Sequence, residues 1–273
     1  MTASPPSPDA ALNLDWGQYL RQREYRRALA AARLGHAPAP VQTALDELYT
    51  LQEALRARRL AAAHRALSGY RTAVEGLEPA DRTPFAATVP LAPLEAGWQA
   101  LDATDRQQIS DPAVLETQLQ PALEEAFTRA EAMNALGVLH ALLDHNEQAE
   151  AWFMQALAHD PGHYRALTNR GNLALEQGNA VEAERLYREA ILLNAEYAGA
   201  HHNLGVALRR QNRMHESVRA IRAGQRLSMR HHRQRDDDEL RSNPGTQRTV
   251  QLVRLALVVL AVLVLLWVVR GGL

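Results

Sequence analysis

The eight residues Ala130-Glu-Ala-Met-Asn-Ala-Leu-Gly137 have two counterparts downstream, Tyr164-Arg-Ala-Leu-Thr-Asn-Arg-Gly171 and Ala198-Gly-Ala-His-His-Asn-Leu-Gly205, each 34 residues after the last. Self-similarity at such a period marks a repeat architecture. The eighth position of each window is Gly, and the fifteenth is Asp144, Gly178 and Asn212, the residue types that best tolerate a left-handed backbone. A tight turn between two helices is predicted there. The twentieth position is Ala149, Ala183 and Ser217, and the twenty-seventh is Ala156, Ala190 and Gly224. Small side chains thus recur where helices must approach closely. The twenty-fourth position carries Phe153, Tyr187 and Ile221, a large knob to fill the space that the small residues leave. Each window therefore predicts a helix, a short turn and a second helix that buries its apolar stripe only by stacking on its neighbours.

Composition agrees. Apolar residues make up 47% and aromatics 5%, with 15 Gly in 273 residues, so Ala and Leu dominate, as in helices rather than sheets. An all-α fold is expected. There is no cysteine, which excludes disulfides, thiolate nucleophiles and cysteine-ligated metal centres. All 30 basic residues are Arg, so a Walker-type phosphate-binding Lys, a kinase Lys and a Schiff-base Lys are absent. A net charge of −1 gives no electrostatic case for nucleic acid. His159 and His163, His201 and His202, and His231 and His232 have poor ligand spacing, so neither a metal site nor a cofactor is expected. No nucleophile elbow or glycine-rich phosphate loop occurs, and the chain does not read as an enzyme.

The windows resemble the tetratricopeptide repeat, whose Leu-Gly, Ala, aromatic and Pro pattern is met by Leu136-Gly137, Ala149, Phe153 and Pro161. Arg170 departs from it at the apolar seventh position of the second window, and Ala195 and Met229 stand where the closing Pro belongs. The resemblance implies three units, 130–163, 164–197 and 198–231, forming a solenoid with a concave groove. Positions 2, 5, 6, 9, 12 and 13 of each first helix share one face at 3.6-residue spacing, and in this family that face lines the groove. Here it carries Asn134 in the first unit, Arg165, Asn169 and Asn172 in the second, and His202, Asn203, Arg209 and Arg210 in the third. An amide donates and accepts together, so Asn169 and Asn203, both at position six, are similar to the asparagine ladder by which such proteins hold an extended peptide backbone. The ladder has two rungs, because Ala135 takes that position in the first unit. The arginines would add preference for an acidic segment or a terminal carboxylate.

Outside the repeats the chain divides by composition. Residues 1–12 read as a disordered lead without the basic and apolar regions of a secretory signal. Residues 13–77 are helical text in which Tyr25 to Leu29 and Leu60 to Ala63 stand 35 apart, either degenerate units of the same kind or an unrelated hairpin. Pro79, Pro84, Pro90 and Pro93 predict an irregular linker over 78–93. A helical lead-in follows over 94–129, with a helix starting at Asp111-Pro112 and Pro121 breaking or beginning another. After the repeats, 232–248 reads as a charged juxtamembrane linker.

Leu255 to Val269 is an uninterrupted apolar run between Arg254 and Arg270, and no side of it is polar. With its flanks, 249–270 is long enough for a transmembrane helix. Arg235, Arg241, Arg248 and Arg254 precede it against Arg270 alone beyond, so the positive-inside rule places the bulk of the chain in the cytoplasm. A single-pass C-terminal anchor in a bacterial inner membrane is expected. The sequence thus reads as a membrane-tethered adaptor whose groove binds a protein or peptide partner. The alternative is a self-assembling scaffold subunit, since the charged text after Met229 shows no evident amphipathic capping helix.

Overall fold

A computed structural model describes residues 15–107 and 109–242, with backbone alone over 231–242. The lead expected at 1–12 and the anchor expected at 249–270 lie outside the described residues. Among the described residues no helix is long and apolar enough to cross a membrane.

The described residues form thirteen helices: α1 (Trp16–Arg21), α2 (Tyr25–Leu34), α3 (Ala39–Arg56), α4 (Leu60–Glu75), α5 (Pro79–Thr88), α6 (Leu91–Asp105), α7 (Pro112–Glu124), α8 (Arg129–Leu142), α9 (Asn146–His159), α10 (Tyr164–Glu176), α11 (Ala180–Leu193), α12 (Ala198–Arg210) and α13 (Met214–Ser242). Six pairs pack as hairpins: α1 with α2, α3 with α4, α6 with α7, α8 with α9, α10 with α11, and α12 with α13. The helices α1 to α11 belong to one compact unit, Met1–Ala195, and α12 and α13 to a second, Glu196–Leu273.

The turns form as the repeat pattern predicts. Asp144, Gly178 and Asn212 have φ of 59°, 83° and 61°. In each case the next residue's N–H reaches back past the turn to a carbonyl of the preceding helix: His145 to His140, Asn179 to Ala174, and Arg213 to Leu208, at 2.8–2.9 Å. These bonds satisfy carbonyls that the helix end would otherwise leave unpaired. Upstream the same geometry recurs without the residues that announce it. Arg23 (φ 61°) and Arg58 (φ 52°) turn the first two hairpins, and Glu24 and Arg59 make the equivalent bonds to Tyr19 and Ala54. They stand 35 residues apart, the spacing already evident in the sequence.

Packing follows the alternation of small and large positions. A Cβ placed on Gly137 or Gly171 would come within 2.5 Å of the ring of Phe153 or Tyr187, so each knob rests directly on its glycine. Ala149, Ala156, Ala183 and Ala190 are fully buried around them. In the second unit Ile221 lies over Gly205 in the same way, and Ser217 Oγ donates to the Gly205 carbonyl at 2.6 Å.

Three sequence expectations are corrected. The stretch 78–93 is no irregular linker: α5 occupies Pro79–Thr88 and α6 begins at Leu91. Pro79 opens α5, Pro90 caps α6 and Pro93 lies in the first turn of α6, all places where a missing N–H costs nothing. Pro84 alone is interior, and α5 is held by Phe85, which is fully buried and stacks on Trp16 at 5.5 Å. Pro121 neither breaks nor begins a helix but lies inside α7, close to its end. The expected linker from 232 is helical as far as Ser242, because Arg, Gln, Glu and Leu are good helix formers and the first strong breaker in the sequence is Pro244. Asp111 caps α7 as expected, its carboxylate accepting from Ala113 N at 2.9 Å.

Candidate binding cleft

Within the first unit, the turn between α1 and α2, the C-terminal half of α3, the start of α8 and the connection from α9 to α10 border an open cleft of about 850 Å³. Its fixed element is a bidentate ion pair. Arg56 of α3 donates through Nε to Asp160 Oδ2 at 2.8 Å and through Nη2 to Oδ1 at 2.5 Å. Asp160 Oδ1 also accepts the Gly162 N–H at 3.1 Å, so the Asp-Pro-Gly sequence that closes the first repeat positions the carboxylate. Both side chains are mostly buried. Burial alone would raise the Asp160 pKa, but the Arg56 guanidinium outweighs it and holds the carboxyl below its ordinary range. A residue of the upstream hairpins is thereby clamped to the repeats across 104 positions of sequence.

Next to it a second buried carboxylate organises the repeat junction. Glu131 receives Arg165 Nη1 at 2.9 Å and lies 3.0 Å from His163 Nε2. His163 Nδ1 accepts the Ala166 N–H at 3.2 Å, capping α10, which leaves Nε2 to carry the proton shared with Glu131. Desolvation opposes the Glu131 charge, yet Arg165 and His163 keep its pKa lowered.

The carboxylates that line the cleft are all engaged: Glu24 by Arg27, Glu53 and Asp160 by Arg56, and Glu131 by Arg165 and His163. Arg23 and Arg26 line it too, exposed and without an ion pair among the described residues. The positive charge of Arg23 is felt nearby. His159 sits below its ordinary pKa through partial desolvation first, then repulsion from Arg129 and Arg23. The walls are completed by Tyr49, Gln52 and Phe127, which offer ring surface and an amide between the charges.

This arrangement changes the roles read from the repeat. Asn134 is fully buried and accepts from Asn169 Nδ2 at 2.9 Å, so it joins α8 to α10 and does not face a partner. Asn172 accepts the Tyr187 hydroxyl at 2.8 Å and steadies the knob. Arg165 is largely sequestered on Glu131. Asn169 remains partly accessible. In the second unit, His202, Arg209 and Arg210 are exposed and Asn203 is partly so. Sequence reasoning missed Arg23, Arg26 and Arg56, because nothing in the helical text of 13–77 marks which arginine meets the repeats. The one available signal was the Asp-Pro-Gly turn, whose acid is free to take a partner once the turn is made. No three His, Asp or Glu side chains among the described residues converge as a metal site.

Residues 130–163 match the tetratricopeptide repeat family. None of the curated proteins is similar enough in sequence to count as a relative. Similar solved structures include a MamA protein (14% identity, 69% of this chain and 93% of that one, TM-score 0.40). BtubC (BKLC) from P. vanneervenii is another (15% identity, 82% and 93%, TM-score 0.42). A chain of the APC/C heterotetramer Cut9-Hcn1 is similar at 19% identity, over 77% of this chain and 44% of that one, with a TM-score of 0.42. Likeness at this level carries nothing about partners.

Proposed function

We propose that the chain is a helical-repeat adaptor that holds an acidic segment of a partner protein in the cleft of its first unit. The observation that carries the reading is the charge imbalance of the cleft: its carboxylates are internally satisfied, whereas Arg23 and Arg26 make no ion pair among the described residues. Guanidinium groups in a concave site pair well with carboxylates, and Tyr49 and Phe127 add apolar area for the rest of a peptide. Asn169 lies in the same unit as a further polar contact, and Asn203, His202, Arg209 and Arg210 supply polar surface in the second unit.

The adaptor works beside a membrane. The apolar segment within 249–270 spans the bilayer once and the bulk of the chain faces the cytoplasm, in a bacterial inner membrane. Tethering raises the effective concentration of the cleft toward other membrane proteins. The test is a pull-down from detergent-solubilised membranes of the native host. Arg23→Glu with Arg26→Glu should lose the acidic partner, and Asn169→Ala with Asn203→Ala should weaken its capture. Recovery unchanged by the charge reversal would end the reading. Carbonate extraction of the same membranes tests the tether separately: release of the full chain into the supernatant would refute it.

A further inference from the structure

Charge is distributed unevenly along this nearly neutral chain. Residues 209–235 hold nine Arg against Glu216 alone. In α13 the side chains of His215, Arg219, Arg222 and Arg226 recur at intervals of four, three and four, which places them on one face of the helix. All four are exposed, and none makes an ion pair among the described residues. With Val218 they line one shallow depression. Large apolar side chains flank this basic stripe: Val218 and Met229 are 43% and 61% exposed. A basic face edged by exposed apolar groups is the pattern of a helix that lies on an anionic bilayer.

We infer that the stripe Arg219, Arg222 and Arg226 of α13 docks on anionic phospholipid headgroups. The inference rests on the membrane tether proposed above, which also selects this occupant over others. Six residues lie between Ser242, the last of α13, and Thr249, and even fully extended the seven Cα steps from one to the other reach about 25 Å. The tether therefore keeps the end of α13 within that reach of the headgroup layer, and the stripe, which begins about 24 Å further up the helix at Arg226, meets the layer when α13 lies along it. Negative surface potential attracts basic residues there and fades within a Debye length of about 8–10 Å. The acidic run from Asp236 to Glu239 carries opposite charge, so attraction is concentrated in the turns before it.

The chain has no cysteine, so Val218→Cys introduces a single thiol for labelling beside the stripe. The full chain, labelled there with an environment-sensitive fluorophore, is reconstituted into vesicles of phosphatidylcholine alone or with one-third phosphatidylglycerol, each containing a headgroup-attached quencher. Quenching is expected in the anionic vesicles and not in the neutral ones, with reversal in 1 M salt. Arg219→Gln, Arg222→Gln and Arg226→Gln together should reduce it on the order of a hundredfold in apparent lipid affinity, since each arginine near such a surface contributes roughly one factor of five to ten. Circular dichroism of the triple variant should show unchanged helix content. Flotation of the same samples after carbonate treatment reports insertion independently. Insertion with an unquenched label overturns the docking and leaves the tether standing. Quenching without insertion keeps the docking and sinks the tether. Equal quenching in neutral vesicles, or protection of the thiol by an RNA polyanion but not by anionic vesicles, overturns the docking.

Discussion

Arg58 and Gly178 occupy equivalent turns in two parts of the first unit, and only one of them announces itself. Both have positive φ, and both are followed by a residue whose N–H returns to the preceding helix. The repeat hairpins use residue types suited to that backbone, whereas the upstream hairpins place arginine there and absorb the cost. The upstream turns share the geometry of the repeat turns without their local signature. The comparison teaches that packing, rather than turn chemistry, holds the α1 to α4 region together.

If that is so, the two regions should respond alike to loss of core volume. Tyr187→Ala and Tyr70→Ala each remove a fully buried ring, and each is expected to cost about 3–5 kcal/mol in urea unfolding of the detergent-solubilised chain. A cost below ~1 kcal/mol for Tyr70→Ala alone would show the upstream hairpins to be loosely packed. Arg56→Ala severs the clamp between the regions and strands Asp160 in a mostly buried place, with an expected loss of about 2–4 kcal/mol. Urea unfolding monitored by separate probes in the upstream hairpins and in the repeats should then lose its coincidence.

Acid should weaken the repeat side in a defined direction. The folded pKa of Glu131 lies below its ordinary value of 4.5. Its contribution is therefore present in full above that value and is lost as pH falls through the lower folded value. Melting temperature measured from pH 6 to pH 3 should show this acid-side fall in the native chain, and a shallower one in Glu131→Gln. An unchanged slope would remove the carboxylate from the account of the junction. The smallest expected effects come from the turns themselves. Gly178→Ala meets no atom within 4 Å, so its cost of about 1 kcal/mol is purely that of a side chain at φ 83°. Arg58→Gly should gain up to about 1 kcal/mol, less the small contribution of its exposed ion pair with Asp105. Opposite signs in a paired thermal melt would confirm that both turns share one backbone state.

Much of the helical architecture was legible because it is written in local rules. Gly171 under Tyr187, or Ala149 beside Phe153, are constraints within one hairpin, and a period of 34 displays them directly. The prolines of 78–93 misled because their effect depends on whether each falls in a first turn or an interior, which composition does not reveal. The site was less legible still. Arg56 meets Asp160 across 104 residues, and no periodicity reports a contact of that range. Asn134 and Arg165 lie on the face where a ligand-binding role was expected, but neighbouring helices supply Asn169 and Glu131 as internal partners. A groove position is a place on a helix, and whether it remains open is decided by what packs over it.

Photo-crosslinking from the cleft tests the binding proposal most directly. A benzophenone side chain substituted for Gln52, in the whole chain expressed in cells of its native host, should capture a partner through an acidic segment, and Arg23→Glu with Arg26→Glu should abolish the adduct while leaving the melting temperature unchanged. An adduct that survives the charge reversal undiminished would contradict the account.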